Sequence, residues 1–555
     1  MKRLVFIVSL LLFGNNCAAQ NLYLKIYGNS EPENKTIDSI GYLSKHNEAK
    51  SIFAEGNLLA NKLTRIGYIE NQIKETIKLN DSSFQFKFIL GKKTEFIHIY
   101  IGKESILKKL SIIDSEKDTI KMLFSEAEGF LKQTLTQLEN KGYSLTKLKL
   151  IDFTKKNNSL FATLFIDTGQ IRQLNDIVIK GYDKFPEGHK KSIKRLYKNK
   201  IFNQENLKKI HAAFEKFRFV KQIKYPEILF TKDTTKLYVY LEKSKPNKFD
   251  GYIGFANDEK TNLIFNGYLD LLLINNLNSG EELSLYWKSD GKEQKTFNIG
   301  IELPYLFKTP FGLKANLNIF KQDSTYQNTK TGFDIGYFFN YNSRIYLGYQ
   351  STESSDIQNQ NSTSLSDFKS SFTTTNYEYS SFNNDDLLFP EKTKINFKIG
   401  YGSRNSKIIS NRQTFANLDL KHQITLNKKN SLNLRTQNFY LQSDKYITNE
   451  LFRFGGINSI RGFNENNLQA NLFTSLLTEY RFAIASNLYL HSIMDYGYYE
   501  DKTIKSKGNL LGLGFGFGLL TKNGLLNLAY ANGSTKEQTV KLSNSIVHIS
   551  FKAIF

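Results

Sequence analysis

The spacing of apolar and polar positions divides the chain into two regions of different period. From Asn21 to about Lys248, apolar stripes of helical spacing alternate with short strand-like runs. Three stripes are legible: Leu59, Leu63 and Ile66; Leu131, Leu135 and Leu138; Ile210, Phe214 and Phe217. Each runs into a related hexamer (LTRIGY from Leu63, LENKGY from Leu138, FEKFRF from Phe214), and the matching positions 67, 142 and 218 stand 75 and 76 residues apart. Gly67 and Gly142 suit helix stops, because glycine takes the left-handed conformation there without a Cβ clash. Polar turns then join paired strand-like runs: Lys147 to Phe153 with Leu160 to Asp167, and Gln222 to Phe230 with Lys236 to Leu241. A helix followed by a hairpin, three times over, predicts an array of small α+β modules at residues 20–102, 103–169 and 170–248.

From Phe249 strict alternation takes over. Sixteen strands are predicted, starting near Phe249, Asn262, Glu281, Gln294, Gly312, Lys330, Ser343, Lys369, Lys392, Arg412, Ser431, Asn467, Asn487, Asn509, Gly524 and Lys541. Residues 249–555 then supply about nineteen residues per strand with its connector, which suits tilted transmembrane strands of ~10 residues. In the last strand Val547, Ile549, Phe551, Ala553 and Phe555 share one face, and His548, Ser550 and Lys552 the other. Phe551 and Phe555 are read as the C-terminal aromatic signal of an outer-membrane barrel. An even strand number puts both ends on the periplasmic side. Pro304, Pro310 and the stretch from Asp385 to Pro390 are then periplasmic, while Ser351 to Asp367 and Phe452 to Phe463 lie on the extracellular side.

Composition sharpens this reading. Met1-Lys2-Arg3, an apolar run from Leu4 to Phe13 and Cys17-Ala18-Ala19 predict a signal peptide over residues 1–19, cleaved after Ala19. Lipidation at Cys17 is the alternative, and the polar residues Gly14, Asn15 and Asn16 before it oppose that. Cys17 is the only cysteine, so a chain cut after Ala19 has no disulfide, thiolate metal site or catalytic thiol. The formal charge of +22 suits an anionic surface. Export points to outer-membrane lipid and lipopolysaccharide rather than nucleic acid. Lys190, Lys191, Lys194, Arg195, Lys198 and Lys200 crowd one helix of the third module, as a solvated face or as a contact with anionic headgroups.

Enzymatic motifs do not emerge: there is no G-x-S-x-G elbow and no H-E-x-x-H, and the seven histidines are scattered. No catalytic residue, metal site or cofactor is expected. Gly512, Gly514, Gly516 and Gly518 alternate with Leu511, Leu513, Phe515, Phe517 and Leu519, which makes a strand with an apolar outer face and a bare inner one. That bare face is expected to form a groove for an inserted loop. On the preceding strand Asp495 faces inward with Tyr489, His491, Ile493 and Gly497. An acid in the lumen wants a cation, and Arg461 is the expected partner because its fork matches a carboxylate. Glu479 and Arg481 on the twelfth strand are expected to complete a lumen cluster.

The loop FRFGGINSIRGF, with Arg461, Gly462 and Phe463, resembles the R-G-F/Y loop of the BamA/TamA superfamily and falls between the eleventh and twelfth strands as it does there. Met494 to Gly497 resembles that family's D-x-G strand motif, with Ile493 where Phe or Gly is usual. Asp386 to Thr393 resembles a D-x-x-x-P turn that normally ends in Gly. The modules resemble POTRA domains, and three of them are closer to the TamA-like number. The resemblance implies a fold of α+β POTRA-like repeats followed by an all-β barrel of 16 antiparallel strands at residues 249–555. It implies strand addition of extended clients at POTRA edges, a weak seam between first and last strands, and Arg461, Gly462 and Phe463 anchored to Asp495.

The function so implied is assembly or insertion of outer-membrane proteins, or translocation of a substrate. Its partners would be unfolded outer-membrane or secreted clients and a periplasmic or inner-membrane partner reached through the modules. A two-partner-type transporter for one dedicated substrate is the alternative. A diffusion porin would not need periplasmic repeats, and an adhesin would want longer loops.

Overall fold

The computed structural model describes residues 21–554 except 114, 115, 117, 258–262, 291–293, 363, 384, 385, 408, 409 and 537–544, with backbone alone for 252–257, 263–266 and 554. The expected signal segment, Phe555 and the strand starts placed at Asn262 and Lys541 lie outside the described residues. The chain forms two compact units. One holds the residues up to Arg172 with Ile201–Gln204, the other Gln173–Lys200 and the chain from Glu205.

The first unit contains two modules of one design. In the first, helices α1 (Glu31–Ile40) and α2 (Ala49–Arg65) cover a sheet ordered Lys45–His46, Leu22–Tyr27, Ser83–Ile89, Gln72–Asn80. Ile52, Leu59 and Leu63 of α2 are fully buried with Phe86 and Phe88 of the sheet, each side chain contributing ~1.5–3 kcal/mol by leaving water. Gly67 ends α2 at φ 109°, and a Cβ there would overlap the Thr94 carbonyl. In the second module α3 (Ile106–Lys109) and α4 (Ala127–Asn140) cover Thr119–Leu123, Phe96–Tyr100, Ser159–Asp167 and Lys147–Lys156 in that order. Here Leu138 is buried as the stripe predicts, whereas Leu135 is exposed: the stripe is narrower than its spacing suggests, and the core is closed instead by Ile97, Ile99 and Leu160 of the sheet.

In the second unit α5 (Glu187–Tyr197) and α6 (Gln204–Glu215) accompany the strands Val220–Phe230, Thr235–Lys243 and Asp176–Lys180. In all three modules the first strand pairs in parallel with the second strand of the hairpin, which leaves the hairpin's first strand on an edge. That edge strand carries a register shift each time, at Ile73/Glu75, Ile151/Thr154 and Gln222/Lys224. At the opposite edge, the first strand is covered by Lys45–His46 and by Thr119–Leu123 in the first two modules. In the third, Asp176–Lys180 is itself the edge.

Sixteen antiparallel strands close into a barrel. They are β1 Lys248–Asn257, β2 Leu263–Ile274, β3 Glu282–Asp290, β4 Gln294–Leu303, β5 Phe311–Gln322, β6 Tyr326–Asn340, β7 Ser343–Asp356, β8 Phe368–Phe382, β9 Glu391–Ser406, β10 Ser410–Thr425, β11 Asn430–Gln442, β12 Leu472–Ala485, β13 Leu488–Asp501, β14 Ser506–Thr521, β15 Gly524–Thr535 and β16 Ile546–Ile554. Side chains alternate outward and inward: on β6, Phe333, Ile335, Tyr337 and Phe339 are exposed on the outer face, while Asp334 and Phe338 are buried on the inner. No helix among the described residues is long and apolar enough to cross a membrane. Several expectations shift: β6 starts at Tyr326, four residues before Lys330, and β14 at Ser506, three before Asn509. β12 starts five residues after Asn467 because Leu468–Ala470 pairs within the loop, and Ser351–Asp356 continues β7, leaving only the stretch from Ile357 as loop.

The ladder that closes the barrel is short. Among the described residues β1 and β16 pair only at Lys248↔Ile554 and Phe249↔Ala553, whereas β8 and β9 pair from Phe368↔Ser406 to Phe382↔Glu391.

Within the second unit, α5 packs on the β4–β5 turn. His189 is fully buried there in a box of Phe217, Phe219, Tyr305 and Tyr341, with ring centroids 4.7 to 5.6 Å away. Neither of its nitrogens has a hydrogen-bond partner. Burial among apolar rings pushes its pKa down to about 3. On the same helix Lys190 pairs with Glu187 at 3.0 Å and Lys194 with Asp176 at 2.6 Å, so two of the clustered cations are spent on intramolecular pairs.

Candidate functional site: a loop clamped inside the barrel

The loop joining β11 to β12 folds back into the lumen. Its stem is a two-stranded ribbon, Phe452–Phe454 with Leu468–Ala470. Phe454 stacks on Phe473 of β12 at 3.9 Å between centroids, and Phe452 on Phe439 of β11 at 4.7 Å. Beyond the stem, Gly455 and Gly456 turn the chain at φ 107° and 94°, a conformation that side chains with a Cβ resist. Ile460 then buries completely between stem and wall.

Arg461 follows, 5% exposed, and Asp495 of β13 is fully buried beneath it. Three donors of one residue reach that carboxylate: the Arg461 main-chain N–H at 3.0 Å, Nε–H at 2.8 Å and an Nη2–H at 2.6 Å. The bidentate fork fixes both distance and plane. Arg461 Nη1 also donates to Glu479 of β12. The other oxygen of Glu479 accepts from Arg481, at 2.8 Å from Nε and 2.5 Å from Nη2. Two arginines and two carboxylates thus form one neutral array. That closure matters because a buried charge left unpaired costs several kcal/mol.

The bare wall expected of Gly512, Gly514, Gly516 and Gly518 serves the loop at one of the four positions. A Cβ at Gly512 would overlap the Arg461 carbonyl. The other three make room for the wall itself: Gly514 faces the Tyr530 main chain of β15, and Gly516 and Gly518 seat the rings of His491 and Tyr489 from β13. Packing of neighbouring strands, which no single-strand pattern shows, is the reason. The second point of close approach is Gly533 on β15, where a Cβ would overlap the Gly462 carbonyl and touch Phe463 at 3.0 Å. Gly462 itself sits at φ 86°. Phe551, on β16, is exposed on the outer face.

Further ties escaped the sequence. Glu465 of the loop meets Lys288 of β3 and accepts from Tyr286 Oη at 3.1 Å. Glu450 takes Arg404 of β9 at 2.5 Å and Gln413 of β10 at 2.8 Å, and the Asn458 carbonyl accepts from Arg435 at 3.0 Å and Gln437 at 3.1 Å on β11. Glu450 and Glu465 are acids in a mainly apolar and amide-rich segment, which is a signal that they need cations, but the lumen offers many.

Three comparisons bear on this architecture. The Omp85 superfamily domain matches residues 275–551. Among solved structures, CdiB from Acinetobacter baumannii is similar at 14% identity and TM-score 0.51, covering 81% of this chain and 87% of that one. CdiB from Escherichia coli is similar at 12% identity and TM-score 0.51, covering 90% and 97%. BamA from Haemophilus ducreyi lacking POTRA domains 1–3 aligns at 14% identity and TM-score 0.48 over 82% of this chain and 98% of that one. At these identities the likeness to CdiB shows a shared fold. No curated protein matches the chain.

Proposed function

Because the chain belongs to the Omp85 superfamily, we propose that it inserts or translocates client polypeptides at the outer membrane, with its N-terminal modules in the periplasm and without chemical catalysis. The observation that supports this best is the loop held inside the lumen. A loop clamped by Arg461 onto Asp495 and Glu479, and tied to β3, β9, β10 and β11, obstructs the path a diffusion porin would keep open. The short β1–β16 ladder leaves strand edges able to accept an extended client. The uncovered edge Asp176–Lys180 of the third module offers a place for strand addition before the barrel. Three modules over residues 20–248, with the first boundary ahead of Phe96–Tyr100 rather than at 102 because that strand pairs within the second module, lipid and lipopolysaccharide around the barrel, and a periplasmic or inner-membrane partner at the modules belong to the same reading.

Depleting the protein and comparing the outer-membrane proteome tests it. Broad loss of other barrels is the expected result for assembly, while loss of one exported product would identify a dedicated secretion transporter. An unchanged proteome, with steady ion conductance by the purified protein, would overturn both.

A further inference from the structure

Charged side chains on the barrel's inner wall are mostly paired: Lys314 and Arg344 with Glu302 and Glu378, Arg435 with Asp419, Arg404 with Glu450, Arg461 with Asp495. Three cations around one lumenal cavity of about 490 Å³ break that pattern: Lys330 of β6, Lys398 of β9 and Arg453 of the loop stem. Among the described residues none has a carboxylate within ion-pair distance, and Asp334 and Glu378 act on Lys398 only from further away. Lys398 donates to the Gln350 amide oxygen at 3.0 Å, and Arg453 Nη2 to the Tyr326 hydroxyl at 2.7 Å. Lys330 is half-buried and faces the like charge of Lys398. The one acid in the lining, Glu450, is taken by Arg404.

The remaining lining says what kind of anion fits. Carboxamides form a ladder in which Asn316 donates to Asn318 at 3.2 Å and Asn318 to Asn298 at 3.0 Å. Three buried polar atoms of lining residues have no protein partner among the described residues: the Asn328 Oδ1 and Asn449 Oδ1 acceptors and the Arg453 Nε donor. Carboxamides that both donate and accept, set beside three cations, match a hydroxyl-rich anion. Phe372 and Phe415 supply an apolar face. Strands β5 to β10, which carry most of this wall, are paired on both sides, so no free main-chain edge is offered to an extended peptide. A cavity of this size is in the range of small-ligand sites.

We propose that this cavity binds an anionic saccharide, a sugar bearing a carboxylate or phosphate, with Lys330, Lys398 and Arg453 as its counter-charges. This goes beyond the proposed client-handling role and does not depend on it.

The test is isothermal titration calorimetry of the full-length protein in detergent with trigalacturonate. Its methyl ester, inorganic phosphate and a hexaglutamate peptide serve as comparison probes. Trigalacturonate is expected to bind at least tenfold more tightly than each of the other three. The K330Q/K398Q variant is expected to weaken it at least tenfold while keeping the heat-modifiable gel mobility of a folded barrel. Absence of binding, equal binding by the ester, or a K330Q/K398Q variant that stays folded and binds as well would overturn the proposal. Phosphate binding as tightly would reduce the site to a bare anion site, and tighter binding of hexaglutamate would make it a peptide site; either result overturns the saccharide assignment. If K330Q/K398Q loses its folded mobility, R453Q, outside the barrel wall, must show the same loss of affinity for the proposal to stand.

Discussion

Asp250 of β1 accepts the main-chain N–H of Phe551 of β16 at 3.3 Å, just beyond the point where the two strands stop pairing. The same oxygen accepts from Tyr268 Oη at 2.6 Å. A side chain thus stands in for the missing rung of the ladder. Removing it as Asp250→Ala is expected to expose the β16 amides near Phe551. A charge-assisted bond is worth ~1.5–3 kcal/mol, so hydrogen exchange at that amide should speed at least tenfold, read by mass spectrometry in nanodiscs. Unchanged exchange would mean that the carboxylate does not hold the seam.

Phe249 and Ala553 face each other in the remaining ladder. Cysteines at these two positions lie at a separation that a disulfide spans. The oxidised double variant is expected to lose its effect on the outer-membrane proteome and to regain it on reduction. Full activity when oxidised would remove the seam from the mechanism.

Arg461→Ala leaves Asp495 and Glu479 buried with less compensation and is expected to cost ~3–5 kcal/mol of loop docking, seen as protease access to the Gly455–Gly462 segment. Arg461→Lys keeps the charge but loses the fork and should fall between. If Arg461→Ala resists protease like the parent, the clamp is not what holds the loop.

Gly512→Val and Gly518→Val separate loop contact from wall packing. The first puts a side chain into the Arg461 carbonyl and should release the loop; the second displaces only the Tyr489 ring. Equal loop release by both would contradict the contact at Gly512.

His189, held at a pKa of about 3 against an ordinary 6.5, gives a signed pH dependence. The folded form stays neutral while the unfolded form takes a proton below pH 6.5. Stability of the α5 contact is therefore fully present above 6.5 and falls by ~1.4 kcal/mol per pH unit as pH drops toward 3. Hydrogen exchange of α5 at pH 7 and pH 4.5 measures it, and His189→Leu should flatten the difference.

Strand number and inward faces were legible because period-two alternation is local: Asp495, Glu479 and Arg481 face the lumen by simple counting from their exposed neighbours. The Arg461 partner could be guessed because a fully buried acid in a barrel wall needs a cation and the loop carries a matching fork. Less was legible for glycine. Gly512 and Gly514 share a face and a spacing, yet one meets the loop and the other the Tyr530 main chain, since register with β15 decides what each faces.

Residue order by itself determined the alternation of β1 to β16 and the helix ahead of each module's hairpin, because these follow from neighbours a few residues apart. Only the tertiary structure decided the parallel pairing of each module's first strand, the short seam covered by Asp250, the aromatic box around His189 and the cations Lys330, Lys398 and Arg453, which have no ion-pair partner among the described residues. Those join positions from about thirty to three hundred residues apart, and a local pattern carries no information about which distant partner closes a register or leaves a charge alone.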